Sequence, residues 1–372
     1  MDEVQMDKAK LQGPICLAAG GTGGHVFPAA TVARELEARG QAIAVLTDPR
    51  GRAFTQAFPP SSIHTIAASG LVNKSLRGKA AAAWNLLHGL VQARRVLAKL
   101  RPPLVIGFGG YPCLPPLIAA WTLGIPTLLH EQNAVMGLAN RLASRFANLI
   151  ALSFANTVNQ SRPNKARLVG NPVRKEFSQA RAYQAPDHGP INLLVFGGSQ
   201  GAQILTDLIP RALCLLPETL RTRLHLTLQV RKDDLEAVQQ TLATAGLGQF
   251  TLLPFLDPMP RYLDAAHLVI ARSGATTVSE VAAAGRPALL IPLVLQADDH
   301  QRHNARVLEQ LGAALVFGQA GLSAEHLAHE IAALMTDPHR LTAMAMAAKS
   351  ASRPQATQEL VDLAFTLIED MG

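Results

Sequence analysis

Apolar positions along the chain come in short runs separated by longer stretches in which they recur every three or four residues. "ICLAA" (Ile15–Ala19), "AIAVLT", "IHTIAA", "LVIGF", "PTLLH" and "LIALS" are runs of five or six residues, the length of a strand buried on both faces. Between most of them lie segments of helical period. "FPAATVARELEARG" is the clearest, closed by Gly40 where helices commonly end. Such alternation predicts an α/β fold with a parallel, doubly wound sheet. Near Gly170 the pattern breaks. "GNPVR" leads into the polar, proline-bearing stretch "ARAYQAPDHGP", which reads as a domain boundary. The scheme then restarts with "INLLVF", "LHLTLQ", "FTLLPF", "HLVIA", "ALLIP" and "ALVF", and from about Ser323 it becomes wholly helical. Two α/β domains of similar design are expected.

The first strand of each half runs into a glycine-rich turn. One is Gly20-Gly21-Thr22-Gly23-Gly24, followed by His25; the other is Gly197-Gly198-Ser199-Gln200-Gly201. A turn between a first strand and a first helix exposes backbone N–H groups and the positive end of a helix dipole, which favour an anion. Three phosphate sites compete. A P-loop requires a lysine that neither turn supplies. A dinucleotide fingerprint starts at Gly21-Thr22-Gly23, and Asp48 ends the second strand, but Val26 stands where the third glycine belongs. The third option is a nucleotide-sugar site built by both domains.

Composition narrows the partners. The chain has 372 residues, too many for one compact core, and 48% hydrophobic content is enough for two. Thirty-four Lys and Arg against 27 Asp and Glu give a net charge of +7, which favours anionic partners such as phosphorylated substrates, anionic lipid or nucleic acid. The three cysteines, Cys16, Cys113 and Cys214, are far apart, so neither a zinc ribbon nor a disulfide framework is indicated and a reducing compartment fits. The opening "MDEVQMDKAKLQG" lacks the apolar core of a signal peptide. The greasiest stretch, "PPLIAAWTLGIPTLL", is broken by Gly124 and Pro126 and is short for a membrane span.

Other motifs follow strand ends, where open α/β sheets bind ligands. "RSGATTVSE" (Arg272–Glu280) brings small hydroxyl residues for an anion and a carboxylate suited to ribose hydroxyls. "DHQRHNA" (Asp299–Ala305) brings Gln301, an uncharged donor and acceptor for a sugar. "HEQN" (His130–Asn133) is not a zinc motif, because Ala134 occupies the second histidine's place. No D-x-D clamp for a divalent metal occurs, so neither metal nor cofactor is expected. Charge on a leaving diphosphate then falls to N–H groups, a helix end and Arg174 in "GNPVR".

Taken together, "AGGTGGHVFPA", "GFGGYP", "LHEQN", "GNPVR", "GGSQGA", "RSGATTVSE" and "DHQRHNA" resemble, in order and rough spacing, the UDP-N-acetylglucosamine:N-acetylmuramoyl-(pentapeptide)-pyrophosphoryl-undecaprenol N-acetylglucosaminyltransferase family. The resemblance runs from about Ile15 to the last helix. It implies a GT-B fold, two Rossmann-like domains facing across a cleft. An acceptor and membrane-docking domain would comprise residues 1–171 with 353–372, and a UDP-sugar donor domain residues 172–352. Carried over by position, the donor pocket would include Arg174, Ser199, Leu256, Ala275, Thr276, Thr277, Val278, Ser279, Glu280 on the ribose, and Gln301 on the sugar. Thr22, Gly23, Gly24 and Asn133 would reach the sugar or its diphosphate from the first domain. Two departures stand out: Val230-Arg231-Lys232, where relatives tend to carry a glycine-bearing turn, and Cys113, where a serine is common.

The implied reaction is an inverting displacement, in which the acceptor's C4 hydroxyl attacks the anomeric carbon and UDP leaves. It belongs to peptidoglycan synthesis, and so to cell-wall biogenesis, cell shape and division. His25 is the leading general base, since an imidazole titrates near neutrality; Glu131 and Tyr111 are the alternatives. The implied partners are UDP-N-acetylglucosamine, a polyprenyl-diphosphate-linked muramoyl-pentapeptide, an anionic membrane surface and other cell-wall enzymes, with no nucleic acid. Location would be peripheral, on the cytoplasmic face of the inner membrane. The basic, amphipathic stretch from Lys74, with Trp84, Leu87, Leu90 and Leu97 among cations, is expected to divide its work. Its C-terminal half would pack on the protein, and Leu71–Lys79 would lie near lipid. Competing readings are another UDP-sugar transferase or an epimerase of the same fold, an NAD-linked oxidoreductase using Gly21–Gly24 and Asp48, and a non-catalytic binding subunit.

Overall fold

A computed structural model describes residues 13–58, 63–68, 76–198, 201–293 and 299–371. The chain forms two compact units. The first holds the chain up to Pro172, apart from Asn133–Val135, and again from Gln355. The second holds Asn133–Val135 and Val173–Pro354. The transfer of three residues of the "HEQN" loop to the second unit was not visible in the sequence.

The first unit carries seven strands: β1 (Ile15–Ala18), β2 (Ile43–Thr47), β3 (Ile63–Thr65), β4 (Val105–Gly107), β5 (Thr127–Glu131), β6 (Leu149–Leu152) and β7 (Ala166–Leu168). They pair in parallel in the order β3-β2-β1-β4-β5-β6-β7. β1 shows why an unbroken apolar run is required. Ile15 and Leu17 face a core shared with the helices Gly23–Ala38 and Ala356–Met371, while Cys16 and Ala18 face a second core with the helices Leu76–Leu100 and Leu114–Thr122. β7 was not expected. It is an edge strand with partly exposed side chains and Arg167 in its middle, so it needs no two-sided apolar run.

The second unit has β8 (Ile191–Phe196), β9 (Leu224–Gln229), β10 (Gln249–Leu253), β11 (Leu268–Ala271), β12 (Ala288–Leu290) and β13 (Ala314–Val316), all parallel, in the order β10-β9-β8-β11-β12-β13. Its core gathers β8, β9 and the helices Gln203–Cys214 and Ala324–Met335. Arg286, 2% exposed, is a structural cation here. Its guanidinium donates to the carbonyls of Leu263, Ala284, Gly285, Arg181 and Asp264, so a full set of acceptors offsets the cost of burying the charge.

The basic helix Leu76–Leu100 divides by face rather than by half. At 100° per residue, Trp84, Leu87 and Val91 fall within about 60° of one another, and Ala82, Gly89, Ala93 and Leu97 cluster on the opposite side. The first three are exposed, Trp84 at 72%, and the other four are buried. The expected packing of the C-terminal half therefore extends along the whole helix on one side. The stretch Ser69–Ser75 lies outside the described residues, as do the side chains of Leu76, Arg77 and Lys79.

Candidate active site

Each sheet reverses its strand order once, between β1 and β4 in the first unit and between β8 and β11 in the second. Loops leaving the strands on either side of such a reversal part, and the crevice they leave is where open α/β sheets bind ligands.

In the first unit the loop after β1 is Ala19–Thr22, and the helix Gly23–Ala38 begins at Thr22. The sequence placed this start at Phe27; the helix opens four residues earlier and takes Gly23, Gly24 and His25 into its first turn. Thr22 and Gly24 are exposed, Gly23 is buried and His25 is half-buried. Gly21 adopts φ 80° and its N–H donates to Asp48 Oδ1 at 2.7 Å. Asp48, 1% exposed, also accepts from Gly51 N–H at 2.9 Å and from Arg50 Nε at 2.9 Å. The acid that would hold a ribose in a dinucleotide site is thus turned inward to brace the glycine turn. This removes the residue on which the NAD reading relied.

The loop after β4 contributes "GFGGYP". Gly110 has φ 72°, and a Cβ there would stand 3.2 Å from the His25 ring, so both conformation and space require glycine. Tyr111 opens a short 3-10 turn, Tyr111–Cys113, and its buried hydroxyl has no partner among the described residues. Cys113 is fully buried; burial pushes its thiol up to about 12, and it donates to the Gly110 carbonyl. A neutral thiol therefore fills a serine's place as a weak donor.

β5 delivers His130 and Glu131, and Gln132 follows directly after its end. Glu131 is 1% exposed, and its Oε2 accepts from Asn140 Nδ2 at 2.8 Å and Gly137 N–H at 3.2 Å. Its carboxylate organises the loop leading into the helix Leu138–Ala143. Gln132 was overlooked in the sequence. It is 1% exposed, and its Oε1 lies 3.2 Å from His25 Nδ1.

In the second unit, the turn after β8 keeps Gly198 at φ 85° and Gly201 at φ 69°; Ser199 lies outside the described residues. The Gly197 N–H donates to Gln229 Oε1 at 3.1 Å. The departing segment forms a turn at Lys232–Asp234, with Arg231 Nε 2.9 Å from Asp234 Oδ2 and its side chain against Gly201. After β11, the helix Ala275–Ala284 starts at Gly274, which has no side chain to cap it. That leaves the positive dipole end for an anion. Ala275 and Val278 are buried, and Thr276 and Thr277 are half-buried. Ser279 Oγ donates to the Ala275 carbonyl at 2.9 Å, so this hydroxyl serves its own helix.

Glu280, half-buried, has its carboxyl pushed up to about 7 by desolvation, with the Arg174 guanidinium drawing it back. Arg174 itself lies 5.0 Å over the Phe177 ring. Gln301 Oε1 accepts from Leu293 N–H at 2.9 Å, and its carbonyl accepts from Ser273 Oγ at 2.8 Å. The sequence offered Gln301 as both donor and acceptor; the structure engages its amide oxygen as an acceptor within the protein. Leu256 is 6% exposed in the loop after β10. Asn133 Oδ1 accepts from Asn304 Nδ2 at 3.1 Å, and Asn304 Oδ1 accepts from Ala134 N–H at 2.8 Å. Buried Asn304 was also overlooked. The first unit thus holds Thr22, Gly23, Gly24, His25, Tyr111 and Glu131. The second holds Asn133, Arg174, Leu256, Ala275–Glu280 and Gln301. Among the described residues, no three His, Cys, Asp or Glu side chains gather into a metal-binding group.

A pair of all-parallel doubly wound sheets, each with a glycine turn or open helix end at its reversal point, is the architecture of the GT-B class of nucleotide-sugar enzymes. The Glycosyltransferase family 28 N-terminal domain matches residues 15–152 and the family 28 C-terminal domain matches residues 192–360; the chain belongs to glycosyltransferase family 28. It is 45% identical, over 94% of its length and 93% of the relative's, to the UDP-N-acetylglucosamine–N-acetylmuramyl-(pentapeptide) pyrophosphoryl-undecaprenol N-acetylglucosamine transferase of Rhodospirillum centenum. The crystal structure of Acinetobacter baumannii MurG superposes with a TM-score of 0.77 at 35% identity, covering 95% of this chain and 99% of that one. The UDP-GlcNAc 2-epimerase of Neisseria meningitidis, at 15% identity and a TM-score of 0.65, covers 94% of this chain and 99% of that one. At that identity it shares the fold alone.

Proposed function

We propose that this chain transfers N-acetylglucosamine from UDP-N-acetylglucosamine to the C4 hydroxyl of undecaprenyl-pyrophosphoryl-N-acetylmuramoyl-pentapeptide, with inversion at the anomeric carbon. The observation that carries this reading is the 45% identity through both domains to a transferase named for that reaction. The second unit binds the donor. The helix end at Ala275 and Arg174 take the diphosphate charge, Glu280 accepts from the ribose hydroxyls, and Gln301 donates to the sugar. The first unit supplies the base. His25 takes the proton of the acceptor's C4 hydroxyl as that oxygen bonds to the anomeric carbon, and the bond from that carbon to the diphosphate breaks to release UDP. Glu131 is less suited, since its carboxylate is buried and engaged with Asn140 and Gly137. Tyr111 keeps its hydroxyl for substrate.

A polyprenyl-linked acceptor requires docking at a membrane. Among the described residues no helix is long and apolar enough to cross one. The exposed stripe of Trp84, Leu87 and Val91 lies beside Arg94 and Arg95, and exposed Trp121 stands on the neighbouring helix. This surface supports peripheral binding to anionic lipid on the cytoplasmic leaflet. The test is a UDP-release assay. UDP should appear only when both UDP-N-acetylglucosamine and the lipid-linked muramoyl acceptor are present. Isomerised UDP-sugar without acceptor would instead identify an epimerase.

A further inference from the structure

We propose that Gln132 and His130 are positioning residues that fix the tautomer of His25, through a line of one-way hydrogen bonds ending on the Gly170 carbonyl. The proposal rests on the reading of His25 as the base.

The line is best followed from its fixed end. A carbonyl oxygen only accepts, and the Gly170 carbonyl lies 2.9 Å from His130 Nε2, so that nitrogen must carry a proton. Ser153 Oγ, 3.4 Å from the same nitrogen, can share it. His130 is fully buried, and desolvation lowers its pKa to about 4, with the charge of His25 pushing the same way. A neutral ring protonated at Nε2 has its lone pair on Nδ1. Gln132 Nε2 lies 3.0 Å from that Nδ1 and 2.8 Å from the Phe108 carbonyl. Both are acceptors, so both hydrogens of the amide are engaged. A flipped amide would set oxygen against two acceptors.

The amide oxygen is therefore the end presented to His25. Oε1 stands 3.2 Å from His25 Nδ1 and can only accept, so Nδ1 is the protonated nitrogen. In a neutral His25 the basic lone pair is then on Nε2, the ring edge that meets the Gly110 turn. The logic is that of a base oriented by a third group, with a carboxamide and a second imidazole in place of a carboxylate. Its components are neutral, so the tautomer is set without an anion that would hold a proton on His25. The reversal between β1 and β4 and the alternation along β5 and just past its end bring these groups together. His130 and Gln132 are two apart and so share a side.

Two measurements test this. The first needs no variant: nitrogen-15 NMR of histidine-labelled protein above the pKa of His25, assigned with His25→Ala. Wild-type His25 should carry its proton on Nδ1, and an Nε2–H form would overturn the proposal. The second is Gln132→Leu, or Gln132→Met if that variant does not fold, since neither side chain offers an amide oxygen to His25 Nδ1. Either should shift His25 towards the Nε2–H tautomer. Each should lower kcat by about 10- to 100-fold, the effect common for partners that orient a functional imidazole, with the KM for UDP-N-acetylglucosamine within about twofold of wild type. In a His25→Ala background neither should lower kcat further. An unchanged tautomer in a folded variant overturns the relay. A changed tautomer with unchanged kcat overturns the catalytic role assigned to it and, separately, the reading of His25 as base.

Discussion

The two units carry the same device, a loop at a strand-order reversal, but hold it in different states. In the first, most of the loops' polar groups are already bound to one another, the buried Tyr111 hydroxyl excepted. Asp48 braces Gly21, Glu131 braces the Gly137–Asn140 loop, and Gln132 is bonded at both ends. In the second, several groups proposed to meet the donor have bonds to spare. Gly274 supplies no cap, the Gln301 NH2 has no hydrogen-bond partner among the described residues, and burial raises the Glu280 carboxyl to about 7. A preorganised network suits chemistry, where a proton must leave along a fixed direction. An unsatisfied set suits binding, because a ligand that satisfies it gains the bonds the apo protein lacks.

Replacing His25 should break this contrast most sharply. His25→Ala is expected to lower kcat by about 100- to 10,000-fold, the range of a lost general base, while leaving the KM for UDP-N-acetylglucosamine within about twofold. Steady-state kinetics with saturating acceptor measure both. A large rise in donor KM with kcat intact would make the first unit's loop a donor site and erase the distinction between the two units.

Glu280 gives the second unit its own signature. Its folded pKa is raised to about 7 by burial, so below that value the carboxyl is mostly protonated. In the proposed donor complex ribose hydroxyls donate to the carboxylate, so binding should favour the deprotonated form. Donor affinity should therefore rise with pH through 7, by about tenfold between pH 6 and pH 8, and level off above. Glu280→Gln should bind UDP-N-acetylglucosamine weakly and without this slope. Calorimetric titration across that range decides it; an equal slope in the variant would assign the proton elsewhere.

The fold was legible because these parallel strands are written as mostly apolar runs, and twelve such runs were present, including the partly exposed edge strands β3 and β10. The edge strand β7, exposed on one side, left no such mark. Motif residues at strand ends were legible for a similar reason, since ligand chemistry there is carried by residue type. The bonds between them were not. Asp48 ends β2 in the register of a ribose ligand, and only the conformation of Gly21 shows that its carboxylate turns into the loop. Gln132 had a usable signal, its alternation with His130 at the end of a strand, but nothing in one dimension reveals that Gly110 brings His25 to its side. Gln301 was singled out by residue type alone, while the direction of its amide depends on the Leu293 N–H, eight residues back.

The smallest expected effect concerns the surface proposed to bring the first unit to its acceptor. The exposed stripe of the helix Leu76–Leu100 and Trp121 offer indole and aliphatic faces to lipid, and Arg94 and Arg95 offer charge. Removing one part-inserted indole should weaken association by about 1 kcal/mol, about fivefold in affinity. Trp84→Ser is therefore expected to co-sediment less with vesicles containing anionic phosphatidylglycerol. Its kcat on a short-chain, water-soluble acceptor should be unchanged, because Trp84 lies on the face opposite Ala82, Gly89, Ala93 and Leu97 and contributes nothing to the His25 network. The cationic share should disappear as salt shortens the Debye length towards 3 Å, leaving the apolar share behind. Equal binding of Trp84→Ser and the parent protein at every salt concentration would show that this stripe does not meet the membrane. It would move the docking surface elsewhere while leaving both sugar-handling crevices as they stand.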